Sequence, residues 1–535
     1  MSEQTRKQKK TRRFRRPVVL SSAGLVFRSA GKFLSENRKK PSENGNVSVC
    51  DEVFRKALCS LQPETSRLGL NLENGHYSTE MTVTLPEEQK SRHLFFALLA
   101  KNFRASGKPE YLEEFRCQFE KWNRGNPFPQ SPAWTDTAEI AFRIHSWCMA
   151  LGFLSGSEET ADLCEELRVG ILNMTAYLCD HHVLLPGDRD LPAVEMCAVF
   201  EAGILFGEER WVRVAADNIT KVISAMFYSD GTGSEKNLRV QGLTMEALAL
   251  SMRLMKIAGM PVPEVWTAML DKMCRFVNSC RGARGETVSF GDDDGSRLLD
   301  LAGGEDPDGF FDYYAYVLAL CSMALEKNYA VPAKDSAYQE TLDWLYHREA
   351  QIRVFSQKCY MPPAFDDYPR AGITLVHSGG RKMILVTEHP AGSIAQQEAQ
   401  RKFGIEGIRL YADGCEMLHT EPGAAEERIG REILLDRDDR FILTEKSSGA
   451  DTSAPDGPVS ATEFTAGPWC SVSVHGNNVH IHGIGGTEVL LHFREGAENV
   501  RQVIRKVPVG NGQTCETTVI QAEYRRKLVT SLTAR

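Results

Sequence analysis

From Ile373 to Thr387 the chain reads ITLVHSGGRKMILVT. Ile373, Leu375 and His377 stand two apart, Gly379-Gly380 supplies a turn, and Met383, Leu385 and Thr387 repeat the spacing. A period of two on either side of a glycine pair specifies a β-hairpin. Downstream the same period recurs at residues 440–445, 470–474, 479–484, 488–493, 500–507 and 516–522, with turns at Gly476-Asn477-Asn478 and Gly485-Gly486. Antiparallel sheets packed face to face are expected there. Residues 447–458 (SSGADTSAPDGP) carry too little apolar surface to bury and read as a loop within that region.

Upstream the period changes. Stretches rich in Leu, Ala, Met and Glu follow one another at residues 94–103, 111–122, 138–154, 163–178, 193–206, 211–227, 244–258, 265–280 and 313–324. Their apolar residues recur at three and four positions, the spacing of helices. The chain therefore divides near residue 350. The expected organisation is a basic, disordered tail over residues 1–45, a ring of paired helices over 46–350 and a β-sandwich over 351–535.

Composition narrows the function classes. At 535 residues, 42% hydrophobic and 25% charged, with 43 Gly and 14 Cys, the chain is neither collagen-like, wholly disordered nor a small disulfide scaffold. No run of 18 uncharged apolar residues occurs. The cysteines show neither CxxC nor regular spacing, so no metal is expected. Residues 1–40 hold 13 lysines and arginines against Glu3 and Glu36, so a net charge of −8 leaves the other 495 residues at −19. Such a tail would touch an anionic membrane surface, and no specific nucleic-acid partner is implied. Pro17 to Phe27 is short for a signal sequence, so the sequence alone places the protein in the cytoplasm.

Several landmarks, in order, resemble the heparinase II/III type of polysaccharide lyase. They are residues 92–134, with Trp122, Asn126, Pro127 and Trp134; TAEIAFRIHSW, with Glu139, Arg143 and Trp147; LPAVEMCAVFEAGILFGEERW at 191–211; SDGTGSEKNLRVQ and FGDDDGSR; and RLYADGCEMLHTEPG at 409–423. The resemblance implies an (α/α) toroid followed by an antiparallel β-sandwich, the fold class expected from periodicity. It also implies action on a uronate-containing acidic polysaccharide by β-elimination, without a cofactor, in the periplasm or cell envelope. Such a reaction removes a C5 proton beside a carboxylate, which must be neutralised while a base faces the proton.

The family supplies those groups as an Asn-His pair, a tyrosine and a β-domain histidine. Here the matching positions hold Arg189 and Asp190, Val240 and Gln241, and Gln400, Arg401 and Lys402. The resulting expectation is a rebuilt site with Lys402, Arg189 and Asp190 as catalytic residues. Arg143, Trp134, Glu195, Arg239, Gln241 and Gln400 are expected to bind substrate. Lys402 would be the base, its pKa lowered by neighbouring arginines. Two other classes remain open: a non-catalytic receptor for acidic glycans, and a glycoside hydrolase pairing Glu195 with Asp190 or Asp292. His181-His182 reads as a polar helix end, Asp292, Asp293 and Asp294 as a turn, and His475, His480, His482 and His492 as a strand-borne cluster.

Overall fold

The computed structural model describes residues 91–534, apart from 182–190, 302–311, 331–335, 389–406, 421–429, 447–458 and some shorter stretches. The basic tail, Arg189, Asp190, Asp292, Gln400, Lys402 and the 447–458 loop lie outside the described residues. Among the described residues, no helix is long and apolar enough to cross a membrane.

The helical half runs α1 (Leu94–Ser106), α2 (Pro109–Gly125), α3 (Thr137–Leu154), α4 (Ala161–His181), α5 (Pro192–Phe206), α6 (Glu209–Met226), α7 (Leu238–Ile257), α8 (Glu264–Ser279), α9 (Tyr313–Leu325), α10 (Ala337–Leu345) and α11 (Arg348–Phe355). Helices α1, α3, α5, α7 and α9 pack side by side in that order, with α2, α4, α6 and α8 set outside them. This is the arrangement of an (α/α) toroid.

Sequence explains which helices lie inside. Helix α5 is buried from Pro192 to Leu205, Glu195 and Glu201 included, and α9 is buried from Tyr313 to Ala324. Helices α6 and α8 bury only one face, with Trp211, Ala215, Ile219 and Val222 lining that of α6. A helix without a polar face must be enclosed, whereas a one-sided helix can lie at the surface.

The second half is two antiparallel sheets. The eight-stranded sheet comprises β1 (Phe365–Tyr368), β2 (Ile373–His377), β3 (Met383–Glu388), β4 (Gly407–Ala412), β5 (Cys415–Thr420), β8 (Ser460–Ala466), β12 (Asn499–Gly510) and β13 (Gln513–Tyr524), in the order β1-β2-β3-β4-β5-β8-β13-β12. The six-stranded sheet contains β6 (Gly430–Leu435), β7 (Phe441–Lys446), β9 (Ser471–His475), β10 (Asn478–His482), β11 (Glu488–Glu495) and β14 (Lys527–Ala534). The hairpin expected at 373–387 forms, pairing Leu375 with Val386.

Alternation along β3 joins the two halves. Ile384 and Val386 face the helical core, while Met383 and Leu385 face the core between the sheets. Polar contacts pin the same junction. His377 Nε2 lies 2.7 Å from the Ser279 carbonyl at the end of α8, and the Arg370 N–H donates to Asp230 at 3.3 Å.

Candidate functional site

Contacts between Thr137 and Glu195 and between Arg239 and Tyr313 bring the starts of α3 and α5, and of α7 and α9, together, so these inner helices start on one rim. Three of those starts have side-chain caps: Asp136 accepts from the Glu139 N–H, Asn237 from Val240 and Asp312 from Ala315. Helix α5 begins instead with Pro192, which has no N–H to satisfy. The positive ends of several helix dipoles thus gather on the rim facing the β-sandwich, an arrangement that favours anions.

Side chains tie the starts together. Thr137 Oγ1 donates to Glu195 Oε1 at 2.7 Å, joining α3 to α5. Arg92 donates to Glu139 Oε1 at 2.7 Å and also to the Ser296 hydroxyl. Arg239, on α7, donates to the Ser296 carbonyl at 3.0 Å, and its guanidinium lies 4.0 Å from the centre of the Tyr313 ring. Arg92 and Arg239 therefore connect α3, the 295–301 segment, α7 and α9. Both arginines are largely buried, with relative exposures of 8% and 9%.

Beneath this rim Glu246 organises the same segment. Its carboxylate accepts from the backbone N–H groups of Leu298 and Leu299, both at 3.0 Å, and from the hydroxyls of Tyr313 at 3.2 Å and Tyr316 at 3.0 Å. Burial raises the Glu246 pKa against those hydrogen bonds. The Tyr313 phenol is raised well above its ordinary value by burial and by Glu246, which makes it a poor base.

Of the residues expected to bind substrate, Arg143, Trp134, Glu195, Arg239 and Gln241 are brought to this region but sit inside its wall. Arg143 is fully buried, 5.3 and 5.2 Å from the ring centres of Trp122 and Trp134, and donates to the Ala133 carbonyl at 2.5 Å. Burial lowers its pKa to about 10. This guanidinium packs the segment bearing Trp134 onto α3. Trp134, Glu195 and Gln241 are also buried, and Gln241 donates its amide to the Gly231 carbonyl at 3.0 Å.

The histidines singled out in the sequence divide between this rim and the six-stranded sheet. His181 ends α4. His480 is 5.8 Å from His475 and 6.4 Å from His482 by ring centres, and its Nδ1 lies 2.5 Å from Glu488 Oε1. These strands belong to the six-stranded sheet. Among the described residues no group of three or more His, Cys, Asp or Glu side chains could hold a metal ion. Sequence reasoning missed Arg92, Glu246, Ser296 and Tyr313. Arg92 and Ser296 stood at the edges of the landmarks at 92–134 and 290–297, and Tyr313 followed Asp312 at the head of a tyrosine-rich helix.

Residues 76–293 match the family model described as Heparinase II/III N-terminus. Among solved structures, the heparan sulfate lyase HepC from Pedobacter heparinus aligns with a TM-score of 0.52 and 14% identity, covering 96% of this chain and 88% of that one. A heparinase III aligns with a TM-score of 0.55 and 13% identity, over 96% and 90% of the two chains. A further heparinase III gene product gives 0.54 and 10%, over 97% and 91%. At such identities the likeness establishes the fold. No curated protein matches the sequence.

Proposed function

We propose that the chain, whose residues 76–293 match the Heparinase II/III N-terminus model, holds a uronate-containing acidic polysaccharide along the rim and cleaves it by β-elimination. The observation that carries this reading is the gathering of inner-helix starts around Arg92 and Arg239. Helix N-termini and guanidinium groups together stabilise carboxylates, and a carboxylate so held makes the adjacent C5 proton more acidic. Arg189 neutralises the uronate in this proposal, and Lys402 takes the proton. Asp190 is the further catalytic residue of this proposal, and Gln400 is a substrate contact.

Arg143, Trp134, Glu195 and Gln241 support the rim from within. Balanced chemistry breaks the C5–H and C4–O bonds and forms a C4–C5 double bond. The glycosidic oxygen leaves with a proton. A second reading, a receptor that binds the same glycan without cleaving it, is favoured by Gln241. It occupies the position of the family's tyrosine, is buried and is engaged with Gly231.

One experiment separates these readings. The full chain is incubated with heparan sulfate, unsulfated glucuronate polymers and alginate, and both ultraviolet absorbance of unsaturated uronates and reducing ends are followed. β-Elimination gives both signals, and Lys402→Ala abolishes them while glycan binding persists. Binding without either signal establishes the receptor, reducing ends alone establish a hydrolase, and full activity in Lys402→Ala refutes its assignment as the base.

A further inference from the structure

We propose that Phe128, Tyr177 and His181 form a stacking platform for a sugar ring, continuing the rim outward beyond Trp134; this rests on the glycan reading above. Phe128 is 39% exposed, one of the few large apolar side chains on the described surface. It lies between exposed Pro127 and Pro129, in the segment linking α2 to α3. Its ring meets Trp134 edge-on at 4.7 Å and Tyr177 at 6.0 Å. Tyr177 in turn stacks on His181 at 3.9 Å with 10° between the planes. Trp134 carries the Arg143 guanidinium 5.2 Å from its ring centre. A continuous aromatic string therefore runs from the buried wall of the rim to solvent.

The chemistry selects the occupant. A pyranose presents a face of C–H groups that packs on an aromatic ring through dispersion and the ring's negative face, while its hydroxyls and carboxylate point outward to polar partners. The platform supplies both kinds of contact. His181 is exposed, and its Nδ1–H donates to the Tyr177 carbonyl at 2.8 Å, which leaves Nε2 for a ligand. That nitrogen accepts from a sugar hydroxyl. A string of three rings is too narrow for a stable protein interface, which needs a broad patch, yet it suits a chain of single sugar rings. Its position matters too. The platform sits where α4 ends and α3 begins, on the rim already assigned to the glycan.

The test measures dissociation constants of the full chain for heparan sulfate and alginate oligosaccharides of increasing length, with Phe128→Ala, Phe128→Trp and His181→Ala alongside. Phe128→Ala also loses its edge contacts with Trp134 and Tyr177, so the urea midpoint of every variant is measured and binding is compared where each is folded. Phe128→Ala is expected to weaken binding of long oligosaccharides about tenfold, the scale of one lost aromatic contact. His181→Ala should weaken it less, and Phe128→Trp should retain it. Disaccharides too short to span from the rim to Phe128 should show no difference between variants. Wild-type affinity in Phe128→Ala for every length overturns the platform and leaves the glycan reading standing. Absence of binding by the wild type to any of these glycans overturns both.

Discussion

Replacing Glu246 by glutamine removes a charge and one acceptor oxygen while leaving the shape of the side chain nearly unchanged. In the native arrangement one oxygen serves Leu299 N–H and the Tyr316 hydroxyl, and the other serves Leu298 N–H and the Tyr313 hydroxyl. Whichever way the amide is turned, its NH2 group faces one backbone N–H and one phenol. The phenol can rotate and accept, whereas the backbone N–H cannot. One buried N–H is thus left unpaired, at about 1–3 kcal/mol.

The remaining hydrogen bonds also lose their charge assistance, and relief of the buried charge offsets part of that loss. Glu246→Gln should therefore cost about 2 kcal/mol, and Glu246→Ala, which strands both backbone donors, about 4 kcal/mol. The pH dependence has a definite sign. Burial raises the folded-state pKa of Glu246 above its unfolded value. Its stabilising contribution is complete below the unfolded value, about 4.3, and falls as pH rises through the folded value. Glutamine does not titrate, so the wild type's advantage over Glu246→Gln should be larger at acid pH than at neutral pH. Urea unfolding followed by the helical circular dichroism signal at both pH values measures the difference. Equal stability of the two proteins at both values, or an advantage that grows with pH, would refute the reasoning.

Two further outcomes follow from packing and from a buried pair. A β-carbon on Gly242 would stand 2.7 Å from Tyr313 Cε1. Gly242→Ala should thus push Tyr313 from Arg239 and cost about 1–3 kcal/mol, read from the urea midpoint. Burial pulls the His145 pKa down, but the Glu201 carboxylate 2.7 Å away outweighs it and lifts His145 above its ordinary value. Stability from that pair is complete below the unfolded value, about 6.5, and lost as pH rises through the folded one. Glu201→Gln should flatten this alkaline loss in urea titrations. An unchanged slope would show that the imidazole does not titrate with the fold.

The two-part architecture was legible because it depends on local repetition. The helical stretches at 94–103 and 193–206 became α1 and α5, and the 373–387 alternation became β2 and β3. Where repetition was short or interrupted, elements escaped notice. Helices α10 and α11 and strands β1, β4 and β8 are examples. Helix α7 begins at Leu238, six residues ahead of the expected Thr244, because Asn237 caps it and Arg239 and Gln241 find partners. Polar residues weaken an apolar pattern even when the fold satisfies them.

The site divides along the same line. Residues that a motif carries, such as Trp134, Arg143, Glu195, Arg239 and Gln241, were identified from sequence as belonging to one region, because their order along the chain resembles a family. Their exposure was not legible, since a guanidinium in a motif reads the same whether it meets solvent or lies between Trp122 and Trp134. The partnerships of Arg92 with Ser296, and of Glu246 with Leu298 and Tyr313, span 204, 52 and 67 residues. Periodicity records which face of an element is apolar, and that is fixed by neighbours three or four positions away. Which polar groups meet across the rim is fixed by where whole helices come to rest, and only the folded chain decides that.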